Sequence, residues 1–187
     1  MLNGKSILIT GGSGFFGRNF IEYVLRDYPG VKRIVIYSRD VQKQDEIKLN
    51  YPEKQYPQLR FFLGDVRDFE RLKRAFEGIN IIIHAASIAS LEASEYNPEE
   101  CIKTNIIGTE NVINAALASN VSDVIALSSD KACAPVSLYG ATQLVSDKLI
   151  TAANNMKGSK NIKFSVIRYG NVIGGRGSVM QVFLHKK

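Results

Sequence analysis

Short apolar, β-branched segments alternate along the chain with segments whose apolar residues recur at helical spacing. The first apolar segment, Lys5 to Thr10, predicts a buried strand, and residues 14–30 predict an amphipathic helix that ends at Pro29-Gly30. Further strands are predicted at residues 31–38, 59–66, 79–86, 121–129 and 162–170. Helices are predicted at 68–78, 98–118 and 137–156, with a polar segment, part helix and part loop, at 41–58.

This alternation is typical of βαβ units, in which right-handed helical crossovers join parallel strands. Strands that are apolar throughout are buried on both faces, so helices must cover both sides of the sheet. We therefore expect an α/β fold with a doubly wound parallel sheet, a Rossmann fold, as a single domain over residues 1–187. Because little chain follows the sixth strand, we expect a C-terminal substrate lobe to be largely absent.

Composition narrows the function classes. The chain has 187 residues with 45% apolar and 22% charged residues, as in a globular domain. The net charge of +6 comes from scattered basic residues, which favours an anionic small molecule over nucleic acid.

Cys101 and Cys133 lack metal spacing, and His84 has only His185 as a second histidine, so no metal site is expected. The N-terminus has no apolar segment of signal or membrane length, which predicts a cytoplasmic protein without a membrane partner.

A glycine-rich turn follows the first strand. Gly11, Gly14 and Gly17 fit the pattern G-x-x-G-x-x-G and open the first helix. A pyrophosphate has to approach backbone N–H groups at a helix N-terminus, and side chains would block that approach. An ordinary tight turn is the alternative, but the strand before the motif and the helix after it favour a dinucleotide site. The cofactor-binding residues predicted here are Gly11, Ser13, Gly14, Phe15, Phe16 and Gly17.

The end of the second strand bears on which nicotinamide cofactor binds. An acidic residue there would bind the ribose 2′-hydroxyl of NAD, but the sequence has Ser38 and Arg39. A hydroxyl and a guanidinium suit a 2′-phosphate, which favours NADP; the alternative is that Arg39 is a solvated surface residue. Along the same edge, the residues expected to line the cofactor are Asp65 and Val66 beside the adenine and Ala85 and Ala86 beside the ribose and phosphates.

Several motifs together closely resemble one group of extended short-chain dehydrogenase/reductases, the inverting UDP-N-acetylglucosamine 4,6-dehydratases that begin pseudaminic acid biosynthesis in bacteria. The resemblance extends from Gly4 to about Val179, and its most specific element is "SDKA" at the end of the fifth strand. The motifs are "TGGSGFFG", "IYSRD", "GDVRD", "EYNPEECIKTNIIGTENVI", "ALSSDKACAPVSLYGAT" and "RYGNVIGGRGSV".

The resemblance implies an NADP-dependent lyase that acts on a UDP-N-acetylglucosamine-like nucleotide sugar. Tyr139 would remove the C4 hydroxyl proton while NADP takes the C4 hydride. Lys131 would then remove the C5 proton, Asp130 would protonate the departing C6 hydroxyl, and the hydride would return to C6 with inversion at C5. These roles require a neutral Lys131 and a protonated Asp130, and burial favours neutral forms.

The resemblance also implies the remaining contacts. For Asn105, a hydrogen bond to backbone in a helical turn is the alternative to a cofactor contact. The sugar contacts are Ser129, Asn171 and Val172, and the further cofactor contacts are Asn105, Ser128, Tyr139, Gln143, Tyr169 and Asn171.

The chain departs from this pattern at Gln143, where the family carries a lysine that binds the nicotinamide ribose and lowers the pKa of the tyrosine. Ala89 and Glu92 likewise replace a lysine and a proline beside the sugar nucleotide. Three functions therefore remain open: the dehydratase or its cofactor-binding half, a non-catalytic NADP-binding or interaction module, and a nucleotide-sugar epimerase or reductase. In each case a homo-oligomer is expected through the helices at 98–118 and 137–156.

Overall fold

Six parallel strands form one sheet in the order β3-β2-β1-β4-β5-β6 in a computed structural model that describes residues 2–172. The order reverses between β1 and β4, which is where doubly wound sheets bind their ligands. The predicted Rossmann-type α/β fold is confirmed. The strands are β1 Ser6–Thr10, β2 Arg33–Ser38, β3 Leu59–Leu63, β4 Ile81–His84, β5 Asp123–Ser129 and β6 Lys163–Tyr169.

Helices connect these strands. A π-helical turn, Lys103–Ile107, joins α5 to α6, and a 3₁₀ turn, Asp130–Ala132, precedes α7. Among residues 2–172, no helix is both long and apolar enough to cross a membrane. The helices are α1 Phe15–Asp27, α2 Val41–Asn50, α3 Phe69–Ala75, α4 Leu91–Tyr96, α5 Pro98–Ile102, α6 Gly108–Leu117 and α7 Leu138–Met156.

Two of these features differ from the sequence prediction. The helix predicted at 98–118 contains the π-helical turn, which local periodicity does not reveal. The sequence also gave no indication of α4, because its six residues carry no apolar stripe of helical spacing. Its start is instead stabilised by Ser90, whose side chain accepts a hydrogen bond from the Ala93 N–H.

Both faces of the sheet are covered, as the apolar strands require. On one face, Ile7 and Ile34 of the sheet pack with Ile21 of α1 and Ile47 of α2. On the other face, β-strand side chains pack against α3, α6 and α7. Besides α4, three helices start with side-chain caps, since Asp40, Asp68 and Ser137 each accept a backbone N–H at the N-terminus of α2, α3 and α7. Because helices cover both faces of the sheet, a site would lie at the carboxyl ends of the strands.

Two leucines test the core assignment with the same chemical change. Leu72 of α3 is 0% exposed and Leu49 of α2 is 82% exposed. We expect Leu72→Ala to lower the free energy of unfolding by about 2–5 kcal/mol, and Leu49→Ala to change it by no more than about 0.5 kcal/mol. Urea denaturation of both variants measures the difference, and equal losses would contradict the assignment.

Candidate functional site

The glycine turn after β1 is in tight contact with the segment that follows β4. Gly11 has a φ of +66°, which favours glycine, and a Cβ there would lie 2.9 Å from the Ala85 carbonyl oxygen. Gly14 is the N-cap of α1 and provides no side-chain cap. The first N–H groups of α1 are therefore not capped by a side chain at the carboxyl edge of the sheet.

Some of the other predicted residues of this turn are packed in the protein interior, and others are exposed to solvent. Ser13 and Gly17 are buried, and Gly17 packs directly on the Gly12 backbone with no room for a Cβ. Phe15 is 41% exposed at the start of α1, whereas the Phe16 ring stacks on Phe20. The turn thus presents Gly14 and Phe15 to solvent and uses Gly17 and Phe16 to hold α1 on the sheet.

A cluster of charges forms at the ends of β2 and β3. Arg39 Nη1 lies 3.3 Å from Asp65 Oδ2, and Arg67 donates to the same carboxylate from Nη2 at 2.8 Å. Burial raises the pKa of Asp65, but hydrogen bonds from Arg67 and the charges of both arginines hold it below its usual value. Ser38 is buried and its Oγ accepts a hydrogen bond from Gln44 Nε2 at 3.0 Å. Arg39 stays half exposed, so its guanidinium remains accessible to an anion.

The segment after β4 is held at both of its ends. The Ala85 and Ala86 N–H groups donate to Thr10 Oγ1 at 3.2 and 3.3 Å. Two residues on, the Ile88 N–H donates to Asn105 Oδ1 at 2.8 Å, and Asn105 Nδ2 donates back to the Ile88 carbonyl at 3.1 Å. Asn105, in the π-helical turn, thus hydrogen-bonds the backbone, while its cofactor contact stays a prediction.

At the end of β5, Ser129, Asp130 and Lys131 form a hydrogen-bonded group. Lys131 Nζ lies 2.8 Å from Asp130 Oδ2, and Ser129 Oγ donates to Asp130 Oδ1 at 3.0 Å. Both charged side chains are about half exposed. Hydrogen bonds from Lys131 and Ser129 lower the pKa of Asp130 and outweigh the opposing effect of burial, so the protonated form expected for this carboxyl is not its form in the free protein.

Tyr139, in the first turn of α7, lies beside this group. A Cβ at Gly140 would collide with the Lys131 carbonyl oxygen, so the glycine allows α7 to pack directly on the 3₁₀ turn. Burial raises the pKa of the Tyr139 phenol, and the neighbouring Ser129 hydroxyl opposes that rise. Glu95 of α4, which the sequence did not single out, accepts the Leu138 N–H at 2.7 Å and so anchors the start of α7.

The remaining predicted contact residues lie further along α7, at the end of β5, and at and after the end of β6. Gln143 is buried, and Ser128 Oγ, at the end of β5, is buried without a hydrogen-bond partner among residues 2–172. Tyr169, the last residue of β6, is exposed, as are Asn171 and Val172 after the strand. The rest of the C-terminal motif, residues 173–179, lies outside the described part of the chain, as does His185.

A buried histidine near this edge was not recognised as part of the site from the sequence. His84, the last residue of β4, has Nδ1 2.7 Å from Thr10 Oγ1 and Nε2 3.0 Å from Thr109 Oγ1. Burial lowers its pKa to about 4, so the ring is neutral near pH 7. In residues 2–172, no cluster of His, Cys, Asp and Glu is arranged to hold a metal ion.

Comparison with known proteins identifies the family. A family model described as polysaccharide biosynthesis protein matches residues 7–187. The chain belongs to the polysaccharide biosynthesis protein family. This family member is 53% identical over 183 residues to the UDP-N-acetylglucosamine 4,6-dehydratase (inverting) of Campylobacter jejuni subsp. jejuni serotype O:23/36 (strain 81-176), a match that covers 98% of the chain and 54% of the relative. The resemblance predicted from the motifs is confirmed.

Relatives of lower sequence identity carry other names. The UDP-glucose 4-epimerase of Rickettsia rickettsii (strain Sheila Smith) is 38% identical over 184 residues, which is 97% of this chain and 53% of the relative. The chain therefore spans about half the length of the curated relatives it matches.

Solved structures agree on the fold. The X-ray structure of Pen from Bacillus thuringiensis superposes with a TM-score of 0.93 at 37% identity and covers 100% of this chain and 56% of that one. DesIV, a dTDP-glucose 4,6-dehydratase from Streptomyces venezuelae with NAD and TYD bound, superposes with a TM-score of 0.74 at 24% identity, over 87% of this chain and 55% of that one. At that identity, DesIV supports the fold alone.

The buried neutral His84 makes stability depend on pH. Its folded pKa of about 4 lies below its ordinary value of 6.5, so the unfolded chain binds the proton more readily. The stabilisation is complete above pH 6.5 and is lost as the pH falls towards 4, an effect of about 3 kcal/mol.

Replacing the imidazole with a neutral amide isolates this effect. We expect the free energy of unfolding of the unmodified protein to fall more steeply between pH 7 and pH 4 than that of His84→Gln. Chemical denaturation across this range measures both slopes, and the subtraction removes the titration of all other groups. Parallel pH profiles would refute the assignment of a buried neutral His84.

Proposed function

We propose that this chain is the cofactor-binding part of an NADP-dependent, inverting nucleotide-sugar 4,6-dehydratase that acts on a UDP-N-acetylglucosamine-like substrate. The observation that carries the proposal is the group formed by Ser129, Asp130 and Lys131 at the carboxyl edge of the sheet, beside the Tyr139 phenol. These residues combine a proton acceptor, a carboxyl acid and an amine base in one place. The 53% identity to an inverting dehydratase supports the same chemistry.

The residues at the sheet edge fit a nicotinamide dinucleotide. The Gly11 turn leaves no space for a side chain, the N-terminus of α1 lacks a side-chain cap, and Ser128 Oγ is a buried hydroxyl without a partner in residues 2–172. When bound, NADP supplies the hydride acceptor and donor. The predicted cofactor residues in this turn, Gly11 to Gly17, would hold the pyrophosphate, and Ser38 and Arg39 would hold the 2′-phosphate.

The Asp130–Lys131 pair suggests how two opposite roles arise. In the free protein the pair is charged, because Lys131 and Ser129 lower the pKa of Asp130. A sugar that covers the half-exposed pair would remove water, and a low dielectric favours neutral groups over charged ones. Transfer of a proton from Lys131 Nζ to Asp130 Oδ2, two atoms 2.8 Å apart, would then give a neutral amine and a carboxylic acid. These are the forms needed to accept the C5 proton and to protonate the departing C6 hydroxyl.

Gln143 limits the first proton transfer in this proposal. Burial raises the pKa of Tyr139, and a buried glutamine one turn away brings no charge to oppose that rise. Turnover with Gln143 in place should therefore be low near neutral pH and rise towards alkaline pH. We expect Gln143→Lys to lower the pKa of Tyr139 and shift the activity profile to lower pH. At a pH below the pKa, turnover should rise roughly tenfold for each unit by which the pKa falls.

The measurement is the pH profile of UDP-N-acetylglucosamine consumption by a form of the protein that carries a substrate-binding lobe. Gln143→Met is the matched control, because methionine has a similar length without charge. Brisk neutral turnover with Gln143 would show that another group activates Tyr139. Inactivity of every form would favour a non-catalytic binding module, and release of a C4 epimer would favour the epimerase named among the Rickettsia relatives.

The end of β2 provides the test of cofactor choice. We expect tighter binding of NADP than of NAD, because Arg39 is half exposed and bonds formed by a charged donor contribute about 1.5–3 kcal/mol. Arg39→Asp should weaken NADP binding by roughly tenfold or more and reverse the preference. Lys32→Asp makes the same change in net charge at the amino end of β2 and should preserve it. Calorimetric titration gives the affinities, and equal affinities of the unmodified protein for both nucleotides would contradict NADP selectivity.

A homo-oligomer is the remaining part of the proposal. Ile107 and Val145 expose over a third of their surface on the π-helical turn and α7, whereas Val112 of α6 is fully buried against the sheet. We expect Val145→Asp to reduce the mass measured by sedimentation and Met156→Asp, an exposed site at the end of α7, to leave it unchanged. A monomer at high concentration of the unmodified protein would refute the association.

A further inference from the structure

The hydroxyl of Thr109 determines the direction of a buried chain of hydrogen bonds. Thr109 Oγ1 lies 2.7 Å from the Asn105 carbonyl oxygen, which can only accept. A hydroxyl has one hydrogen, so the other two neighbours of Thr109 Oγ1 must donate to it. These are His84 Nε2 at 3.0 Å and Ser146 Oγ at 2.9 Å. His84 therefore carries its proton on Nε2.

The Thr10 end of this series of hydrogen bonds independently predicts the same His84 tautomer. Thr10 Oγ1 accepts the backbone N–H groups of Ala85 and Ala86, which can only donate. Its single hydrogen is then left for His84 Nδ1, 2.7 Å away, and Nδ1 must be the unprotonated acceptor. Both threonine hydroxyls use one donor and two acceptor positions, so the whole network is satisfied with one tautomer.

We propose that His84 is a positioning residue, held as the neutral Nε2–H tautomer, that couples the Asn105 turn to the Thr10 hydroxyl and thereby orients the segment from Ala85 to Ile88. The tautomer and the coupling stand on the hydrogen bonds alone. That this segment lines the dinucleotide rests on the proposed function.

The opposite tautomer would break the network at both ends. A proton on Nδ1 would point at Thr10 Oγ1, whose acceptor positions the Ala85 and Ala86 N–H groups already occupy. An unprotonated Nε2 would face a Thr109 oxygen whose hydrogen is committed to Asn105. Unsatisfied groups buried in this way are costly. His84 thus transmits the geometry of the π-helical turn to the glycine-turn side of the sheet.

The consequence is that one network holds the segment after β4 at two places. Thr10 holds its start through Ala85 and Ala86, and Asn105 holds Ile88 through both its N–H and its carbonyl. Thr109 connects the Asn105 backbone to the His84 ring. A change at Thr109 should therefore weaken the hydrogen bond of the Ala86 N–H, although the two residues are joined only through the His84 ring and the Thr10 hydroxyl.

The tautomer is measured directly by long-range ¹H–¹⁵N correlation spectra of the histidine rings at neutral pH in the unmodified protein. The signals of the two histidines are assigned with His185→Gln. We expect a protonated Nε2 and an unprotonated Nδ1 for His84. A protonated Nδ1, or two protonated nitrogens, would overturn the proposal.

The coupling is measured by hydrogen exchange of the Ala86 amide. Thr109→Val keeps the shape of the side chain but removes the acceptor of the Nε2 proton, so we expect Ala86 to exchange roughly five- to tenfold faster, the loss of one hydrogen bond. Thr109→Ser restores the hydroxyl and should restore slow exchange. Thr151→Val removes a hydroxyl that only bonds carbonyls within α7 and is the control. Equal exchange in the Thr109→Val and Thr151→Val variants would overturn the coupling.

Binding of NADP separates this inference from the proposed function. If both are correct, Thr109→Val should weaken NADP binding and Thr109→Ser should retain it. The expected tautomer in the unmodified protein and faster Ala86 exchange in Thr109→Val, without any NADP binding by the unmodified protein, would refute the proposed function and leave the coupling in place. Should Thr109→Val not fold, the spectra of the unmodified protein still decide between the two tautomers, on which the coupling depends.

Discussion

The close approach of the glycine turn to the segment after β4 is the contact on which the rest of the site depends. A Cβ at Gly11 would lie 2.9 Å from the Ala85 carbonyl oxygen, so the two backbones touch where the strand order reverses. This contact places the turn that leads into α1, whose start has no side-chain cap, against the segment after β4. Backbone geometry therefore shapes the carboxyl edge of the sheet at which the proposed dinucleotide would bind.

Buried polar side chains between β1, β4 and α6 then hold this geometry. Thr10, His84 and Thr109 form a continuous buried chain of hydrogen bonds that reaches from β1 through β4 to α6. Because each group has its partners, the chain can remain buried without an unsatisfied donor or acceptor. The same network reaches Asn105 and the loop it holds, so the π-helical turn contributes to the shape of a site formed by other elements.

The side chains of the proposed catalytic group have contrasting surroundings. Asp130 and Lys131 are solvated and paired, whereas Tyr139 is more deeply placed and its pKa is raised by burial. The proposed dehydratase needs the first pair to become neutral and the phenol to lose a proton. Covering the site with substrate favours the first change, whereas the uncharged Gln143 contributes no charge to the second, which among residues 2–172 only the Ser129 hydroxyl assists.

The sequence by itself determined the alternation of strands and helices and the glycine turn, because each is a local pattern with its own spacing, whereas the Ser-Asp-Lys group was singled out by its resemblance to a family motif. The order of the strands was not predicted and is given by the tertiary structure. Local pattern could not show the π-helical turn, which interrupts a continuous helical periodicity, or α4, which starts from a Ser90 cap.

Only the tertiary structure decided which groups meet. His84 and Thr10 are 74 positions apart, and Glu95 contacts Leu138 across 43 positions. The exposure of Asp130 and the burial of Gln143 likewise depend on how α7 packs against the end of β5. Hydrogen-bond direction and pKa respond to neighbours within a few ångströms in space, and sequence spacing does not specify those neighbours.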